Sequence, residues 1–143
     1  MRFLLAITGF LFFLSGKSQD TLNQIDKDGK KTGYWVITNE KLKKPNFALS
    51  DTVEKGWYVA GRKEGIYNTY YPGNKLKVIY EAKNNRPNGK FTTFYESGIV
   101  EEKGTWKQNR FVDTFLRYHK NGVMAQKKYF NMASLLLLKR KIK

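Results

Sequence analysis

Aromatic and aliphatic residues alternate with polar residues in short runs along the chain, which is the period of a β-strand. The run at 65–71 (GIYNTYY) returns 24 residues later at 89–95 (GKFTTFY) and again at 113–119 (DTFLRYH). A further unit opens at 29–35 (GKKTGYW), displaced by an eight-residue insertion within 39–50. A fixed period of this kind predicts that each unit is one supersecondary element stacked on the next.

Glycine-containing turns punctuate the units, so we predict that each unit is a β-hairpin with a two-residue turn. The predicted turns are Ser97-Gly98, Asn121-Gly122, and Gly73-Asn74, where Asn takes the left-handed position that Gly fills elsewhere. The pairs predicted across the second hairpin are Tyr95 with Val100, Thr93 with Glu102, and Phe91 with Gly104. The predicted fold class is all-β, an elongated single-layer antiparallel meander of stacked β-hairpins.

Side chains on a strand alternate between two faces, so the repeat predicts which residues share a face. The predicted core ladders are Tyr67, Phe91 and Phe115; Tyr71, Tyr95 and His119; and Leu76, Val100 and Met124. The binding residues predicted on the opposite face are Tyr70, Phe94, Tyr118, Lys77, Lys90 and Lys103. An aromatic row with basic neighbours can bind sugars or a partner, and the alternative is that the half-buried rings only stabilise an exposed sheet.

The N-terminal segment has the pattern of a signal peptide, because Met1 and Arg2 precede an uncharged apolar run at 3–14 (FLLAITGFLFFL). This run is too short for a transmembrane helix, and cleavage after Ser18 would leave a mature chain that starts at Gln19. The predicted domains are a signal peptide at 1–18, a β-repeat domain at 19–131 and a tail at 132–143. The protein is therefore predicted to be exported to the periplasm, the cell envelope or the medium, an uncleaved anchor or first core helix being the alternative.

The C-terminal tail combines an apolar run at 135–138 with a basic end. The basic residues are Lys139, Arg140, Lys141 and Lys143. We predict that the tail caps the last strand, the alternative being that these residues contact an anionic membrane surface.

Composition narrows the chemistry further. The sequence contains no Cys and a single His, which excludes disulfides and thiolate metal sites and makes a catalytic triad improbable. No metal cluster, phosphate-binding loop or cofactor is expected, so the chain is not predicted to be an enzyme. The net charge of +15 points to acidic partners, and in an exported protein these are a protein, a glycan or an anionic membrane surface rather than nucleic acid. The alternative is a solvated basic surface that binds no partner.

The pattern of Gly, an aromatic residue, two further residues, an aromatic pair and a turn resembles the MORN repeat. It is similar above all to the bacterial variant in YwqK-like proteins, which are described as antitoxins. The resemblance rests on 65–76, 89–100 and 114–124, with 28–35 as a degenerate unit, and departs from the pattern at Asp113 and Asn74. It implies a scaffold that binds proteins or membranes, without catalytic residues to carry over.

The function predicted from the sequence is that of an exported, non-enzymatic repeat scaffold that binds through the aromatic and basic sheet face. One alternative is an antitoxin-like protein that neutralises a partner toxin by binding. Another is a carbohydrate-active enzyme of the cell envelope, whose carboxylates would be distant in sequence.

Overall fold

The computed structural model describes residues 22–108 and 110–130, so the predicted signal peptide at 1–18 and tail at 132–143 lie outside the described residues. The strands are β1 (Gln24–Ile25), β2 (Lys31–Thr38), β3 (Thr52–Val59), β4 (Arg62–Tyr70), β5 (Leu76–Lys83), β6 (Arg86–Phe94), β7 (Val100–Lys107), β8 (Arg110–Tyr118) and β9 (Met124–Phe130). They form one sheet in sequence order, and every neighbouring pair is antiparallel. The predicted all-β meander of stacked hairpins is confirmed.

Each of the strands β4, β6 and β8 contains one residue with left-handed backbone at the same repeat position. Gly65 has φ 83°, Gly89 has φ 133°, and Asp113 has φ 59°. The strand register shifts beside each of these residues, which is the mark of a β-bulge. Asp tolerates this conformation better than most residues with a side chain, so the unit that opens with Asp113 keeps the hairpin geometry.

The turns predicted at Gly73-Asn74, Ser97-Gly98 and Asn121-Gly122 contain three residues each, so the prediction of two-residue turns there is wrong. The Tyr95 N–H donates to the Ile99 carbonyl at 2.9 Å, and the Gly98 N–H donates to the Tyr95 carbonyl at 2.8 Å. Gly98 has φ 87°, as expected for a turn that closes with a glycine bulge. The same two bonds recur in the turn that contains Gly122.

The longer turn changes the pairing next to it. Val100 pairs with Phe94 instead of Tyr95, while the pairs farther from the turn are as predicted, Thr93 with Glu102 and Phe91 with Gly104. Asn74 has φ 60°, which confirms the left-handed conformation predicted for it.

The core face is the sheet face that carries Tyr67, Phe91 and Phe115. All three rings are buried, and Tyr67 has no exposed surface, which confirms the first predicted ladder. Tyr67 packs against Tyr58 with the ring centroids 5.7 Å apart, and its ring lies directly over Gly56. The core continues along β7 to β9 through a chain of aromatic contacts made by Trp106, Phe111, Phe115 and Phe130.

The second and third predicted core ladders are not core. His119 and Met124 are exposed, while Tyr71 and Tyr95 are half-buried. Register shifts at the turn ends of the hairpins place Leu76, Val100 and Met124 opposite Tyr70, Phe94 and Tyr118, so the third ladder does not continue the face of Tyr67. The Tyr71 hydroxyl instead donates to the Phe94 carbonyl at 3.0 Å, and Tyr95 donates to the Tyr118 carbonyl at 2.8 Å.

The predicted insertion is an ordered connection between β2 and β3 that includes a single helical turn, α1 (Asn39–Leu42). Asn39 is 1% exposed, and its side chain bonds the backbone of Lys44 and Phe47. Asp51 accepts hydrogen bonds from the N–H groups of Ala48 and Gly73, which joins the insertion to the next hairpin turn. These two buried polar residues replace the apolar contacts that so short a segment cannot provide.

Candidate functional site

The outer face is the sheet face that carries Tyr70, Phe94 and Tyr118, and all three of these rings are half-buried. The Lys55 ammonium lies 5.3 Å from the Tyr70 ring centroid, and the Lys103 ammonium lies 5.5 Å from that of Tyr118. A hydrogen bond with the Tyr70 hydroxyl raises the pKa of Lys55. These two cation–π pairs of the outer face are separated by two repeats.

The predicted basic residues Lys77, Lys90 and Lys103 are all exposed. Lys90 and Lys103 line the same shallow depression of about 270 Å³, which has threonines and Leu116 as its other outer-face neighbours. Lys77 lies apart from them, with its ammonium 5.0 Å from the centroid of Tyr71. The structure thus brings together two of the three predicted lysines and pairs the third with a different ring.

An aromatic pair with one exposed ring extends the outer face toward β2 and was not predicted from the sequence. Trp57 is 54% exposed, and its ring meets the Tyr34 ring edge-on with the centroids 5.5 Å apart. The residues 24 and 48 positions after Trp57 are Glu81 and Thr105, so the repeat has no aromatic ladder at this position. The signal that could have revealed it is the cross-strand pairing of Tyr34 with Trp57.

The core face carries a polar network among its rings. Lys63 forms an ion pair with Glu54, donates to the Tyr80 hydroxyl at 3.3 Å, and holds its ammonium 4.9 Å from the Tyr67 centroid. The Tyr58 hydroxyl donates to the other carboxylate oxygen of Glu54 at 3.3 Å. Burial alone would lower the pKa of Lys63, but the hydrogen bond and charge of Glu54 offset this, so that the pKa is raised. The Lys63 ammonium and the Tyr58 hydroxyl both have the Glu54 carboxylate as a partner, which is typical of a structural role.

Burial, reinforced by nearby Tyr58 and Glu54, raises the pKa of Tyr67. The folded state therefore keeps a proton that the unfolded chain releases above about pH 10, and the stability present below that pH is lost as the pH rises. In the Tyr67→Phe variant we expect urea denaturation to show a smaller loss of stability between about pH 9 and about pH 11. The variant also loses the hydrogen bond from Tyr67 to the Trp57 carbonyl, at a cost of about 1 kcal/mol that does not depend on pH. Parallel losses in both proteins would contradict the assignment.

Residues that could support other chemistry were sought in the described ranges, 22–108 and 110–130. No group of three or more His, Asp or Glu side chains in these ranges is placed to hold a metal ion. No helix within them has the length and apolar character needed to cross a membrane. The predicted membrane contacts Lys139, Arg140, Lys141 and Lys143 lie outside the described residues.

Comparison with known proteins supports the MORN family through one unit. The profile of the MORN repeat variant family matches residues 87–108, which span most of β6 and all of β7. No curated protein and no solved structure matches the chain. The match therefore falls on the hairpin in which Phe91 covers Gly104, and it indicates a repeat scaffold.

Proposed function

We propose that this chain is an exported, non-enzymatic repeat scaffold that binds an acidic partner protein through its outer face. The observation that carries the proposal is the placement of exposed lysines against half-buried rings along that face, as in Lys103 over Tyr118. Export is proposed from the sequence of residues 1–18 alone. The antitoxin and enzyme alternatives gain no support from the geometry of the described residues.

The shape of the outer face favours a macromolecular partner. Its depressions are shallow and open, whereas sites for small molecules are concave and enclose most of the ligand. Exposed Trp57 and Ile66 add apolar area beside the lysines. Aromatic rings are enriched at protein interfaces, and lysines in the polar rim around them select a partner with an acidic surface.

The test is a charge variant of the outer face, Lys77→Gln, Lys90→Gln and Lys103→Gln combined. The matched control replaces three exposed lysines in the connections between strands, Lys43, Lys75 and Lys120, by Gln. Envelope proteins are captured on the parent and both variants and quantified by mass spectrometry, and affinities are then measured with the captured partner after its purification.

We expect the outer-face variant to bind the purified partner about tenfold more weakly than the parent, and the control to bind it nearly as well as the parent. Equal losses in both variants would show that net charge, rather than the outer face, governs binding. Anionic lipid vesicles and acidic glycans serve as counter-probes. Tighter binding of either of these at the outer face would replace the protein partner by a membrane or a glycan.

A further inference from the structure

Three arginines form a row at one end of the strands, which we call the arginine end. Arg62, Arg86 and Arg110 are the first residues of β4, β6 and β8, and each follows the previous one by 24 residues. Because these strands alternate with others in the sheet, successive arginines are two strand spacings apart, about 9.6 Å. The repeat therefore places cations at a regular distance along a line.

Like charges lie directly opposite each other at this end. Lys83 pairs across the strands with Arg86, and Lys107 pairs with Arg110. Such pairs destabilise a sheet, so their presence in two successive hairpins has an energetic cost. Among residues 22–108 and 110–130, neither of the two ion pairs found involves any of these four cations. An external anion would relieve the repulsion.

A depression of about 740 Å³ opens at the arginine end between the β5–β6 hairpin and the β7–β8 hairpin. Cations and amides dominate its lining, which consists of Lys83, Asn84, Arg86, Pro87, Asn88, Lys107 and Gln108. Glu64 approaches this end, where it accepts a hydrogen bond from the Asn84 N–H at 2.9 Å, but it is not part of the lining. The Asn84 amide oxygen accepts a bond from Arg62 at 3.2 Å, which links the first arginine to the depression.

We propose that the arginine end binds a linear acidic polysaccharide. Guanidinium groups pair with carboxylate or sulfate groups through parallel hydrogen bonds, and a row of them at a fixed spacing suits a polymer with regularly repeated anionic groups. The amides of Asn84, Asn88 and Gln108 can bond the hydroxyls between these groups. This site lies at the opposite end of the strands from Tyr70, Phe94 and Tyr118, and it does not depend on the function proposed for the outer face.

Two other polyanions fit the arginine end less well. Single-stranded nucleic acid is held by aromatic rings on which bases stack, and none of the seven lining residues is aromatic. A bilayer surface attracts any exposed cation. Binding to a bilayer would therefore not use the amides that line the recess. A linear sugar chain uses the row, the recess and the amides together.

The experiment measures binding of the full chain to two sugar probes, polygalacturonate for carboxylates and dextran sulfate for sulfates, with neutral dextran as the blank. In the test variant, Arg62, Arg86 and Arg110 are replaced by Gln. The control is the variant with Lys43, Lys75 and Lys120 replaced by Gln, which has the same net charge. At equal salt we expect the arginine variant to bind at least one acidic probe about tenfold more weakly than the control does.

The comparison between the two acidic probes identifies the anionic group. The inference would be overturned by three results: failure of the parent to bind either acidic probe, equal weakening in both variants, or tighter binding of a single-stranded oligonucleotide or of anionic vesicles than of either sugar. The arginine variant should still bind the outer-face partner, so failure of this inference can be distinguished from failure of the proposed function. Unchanged far-ultraviolet circular dichroism shows that each variant is folded.

Discussion

Replacing Gly56 by alanine is expected to lower the free energy of unfolding by about 3 kcal/mol, because the added methyl group has no room. Its Cβ would lie 2.6 Å from two ring atoms of Tyr67. That ring is fully buried, and its hydroxyl donates to the Trp57 carbonyl, so it cannot move aside without losing contacts. Urea denaturation of the parent and the variant, with the slope of the transition compared, measures the loss.

The equivalent glycine two repeats later provides the matched control. A Cβ on Gly104 would lie 3.0 Å from a single atom of the Phe91 ring, so Gly104→Ala should cost about 1 kcal/mol or less after a small tilt of that ring. Removing the ring should abolish the clash, and adding Gly56→Ala to Tyr67→Ala should therefore cost almost nothing further. Equal losses at the two glycines, or a full additional loss in the double variant, would show that the ring of Tyr67 is not the cause.

The repeat made much of the fold predictable. Once 65–71, 89–95 and 113–119 are aligned at the 24-residue offset, the positions of Tyr67, Phe91 and Phe115 fix the core ladder and the meander. Neighbouring units bury equivalent side chains against each other, so one correct alignment determines many contacts.

The turns could not be predicted in the same way. A two-residue turn and a three-residue turn with a glycine bulge both need a glycine with positive φ, so Ser97-Gly98 is compatible with either. The choice depends on backbone bonds such as that from Tyr95 to Ile99, which the residue types do not reveal. The resulting register shift is why Val100, predicted to pair with Tyr95, pairs with Phe94 instead.

The candidate site was predictable where it follows the repeat and was missed where it depends on pairing between strands. Tyr70, Phe94 and Tyr118 recur at one repeat position, and the outer face carries all three. Lys55 belongs to the site because it lies over Tyr70, yet Ile79 occupies its position in the next unit. Lys103 and Lys127 occupy this position in the later units, so the repeat itself could have indicated Lys55, whereas Trp57 is indicated only by its pairing with Tyr34.

Glu54→Gln is expected to lower the free energy of unfolding by about 2 kcal/mol at neutral pH, because it leaves the ammonium of Lys63 without its counter-charge. The side chain of Lys63 is 23% exposed and that of Glu54 is 17% exposed, so solvent only partly compensates for the loss. Lys31 lies close enough to repel the unpaired ammonium of Lys63. Burial is the main cause that lowers the pKa of Lys31, and the charges of Lys41 and Lys63 lower it further. Chemical denaturation of the parent and the variant at neutral pH gives the difference.

Two measurements test whether the charge of Lys63 causes the loss of stability in Glu54→Gln. They are the pH dependence of that loss and a comparison with a second ion pair. In the parent, the raised pKa of Lys63 contributes stability below about pH 10 that is lost as the pH rises, whereas in the variant burial favours the neutral amine. The gap between the two proteins should therefore narrow above about pH 10. Glu102, which is two repeats after Glu54, pairs with an Arg117 side chain that is 53% exposed, so Glu102→Gln should cost only about 0.5 kcal/mol. If Glu54→Gln costs no more than Glu102→Gln, or if its cost does not change with pH, the half-buried charge of Lys63 is not what Glu54 stabilises.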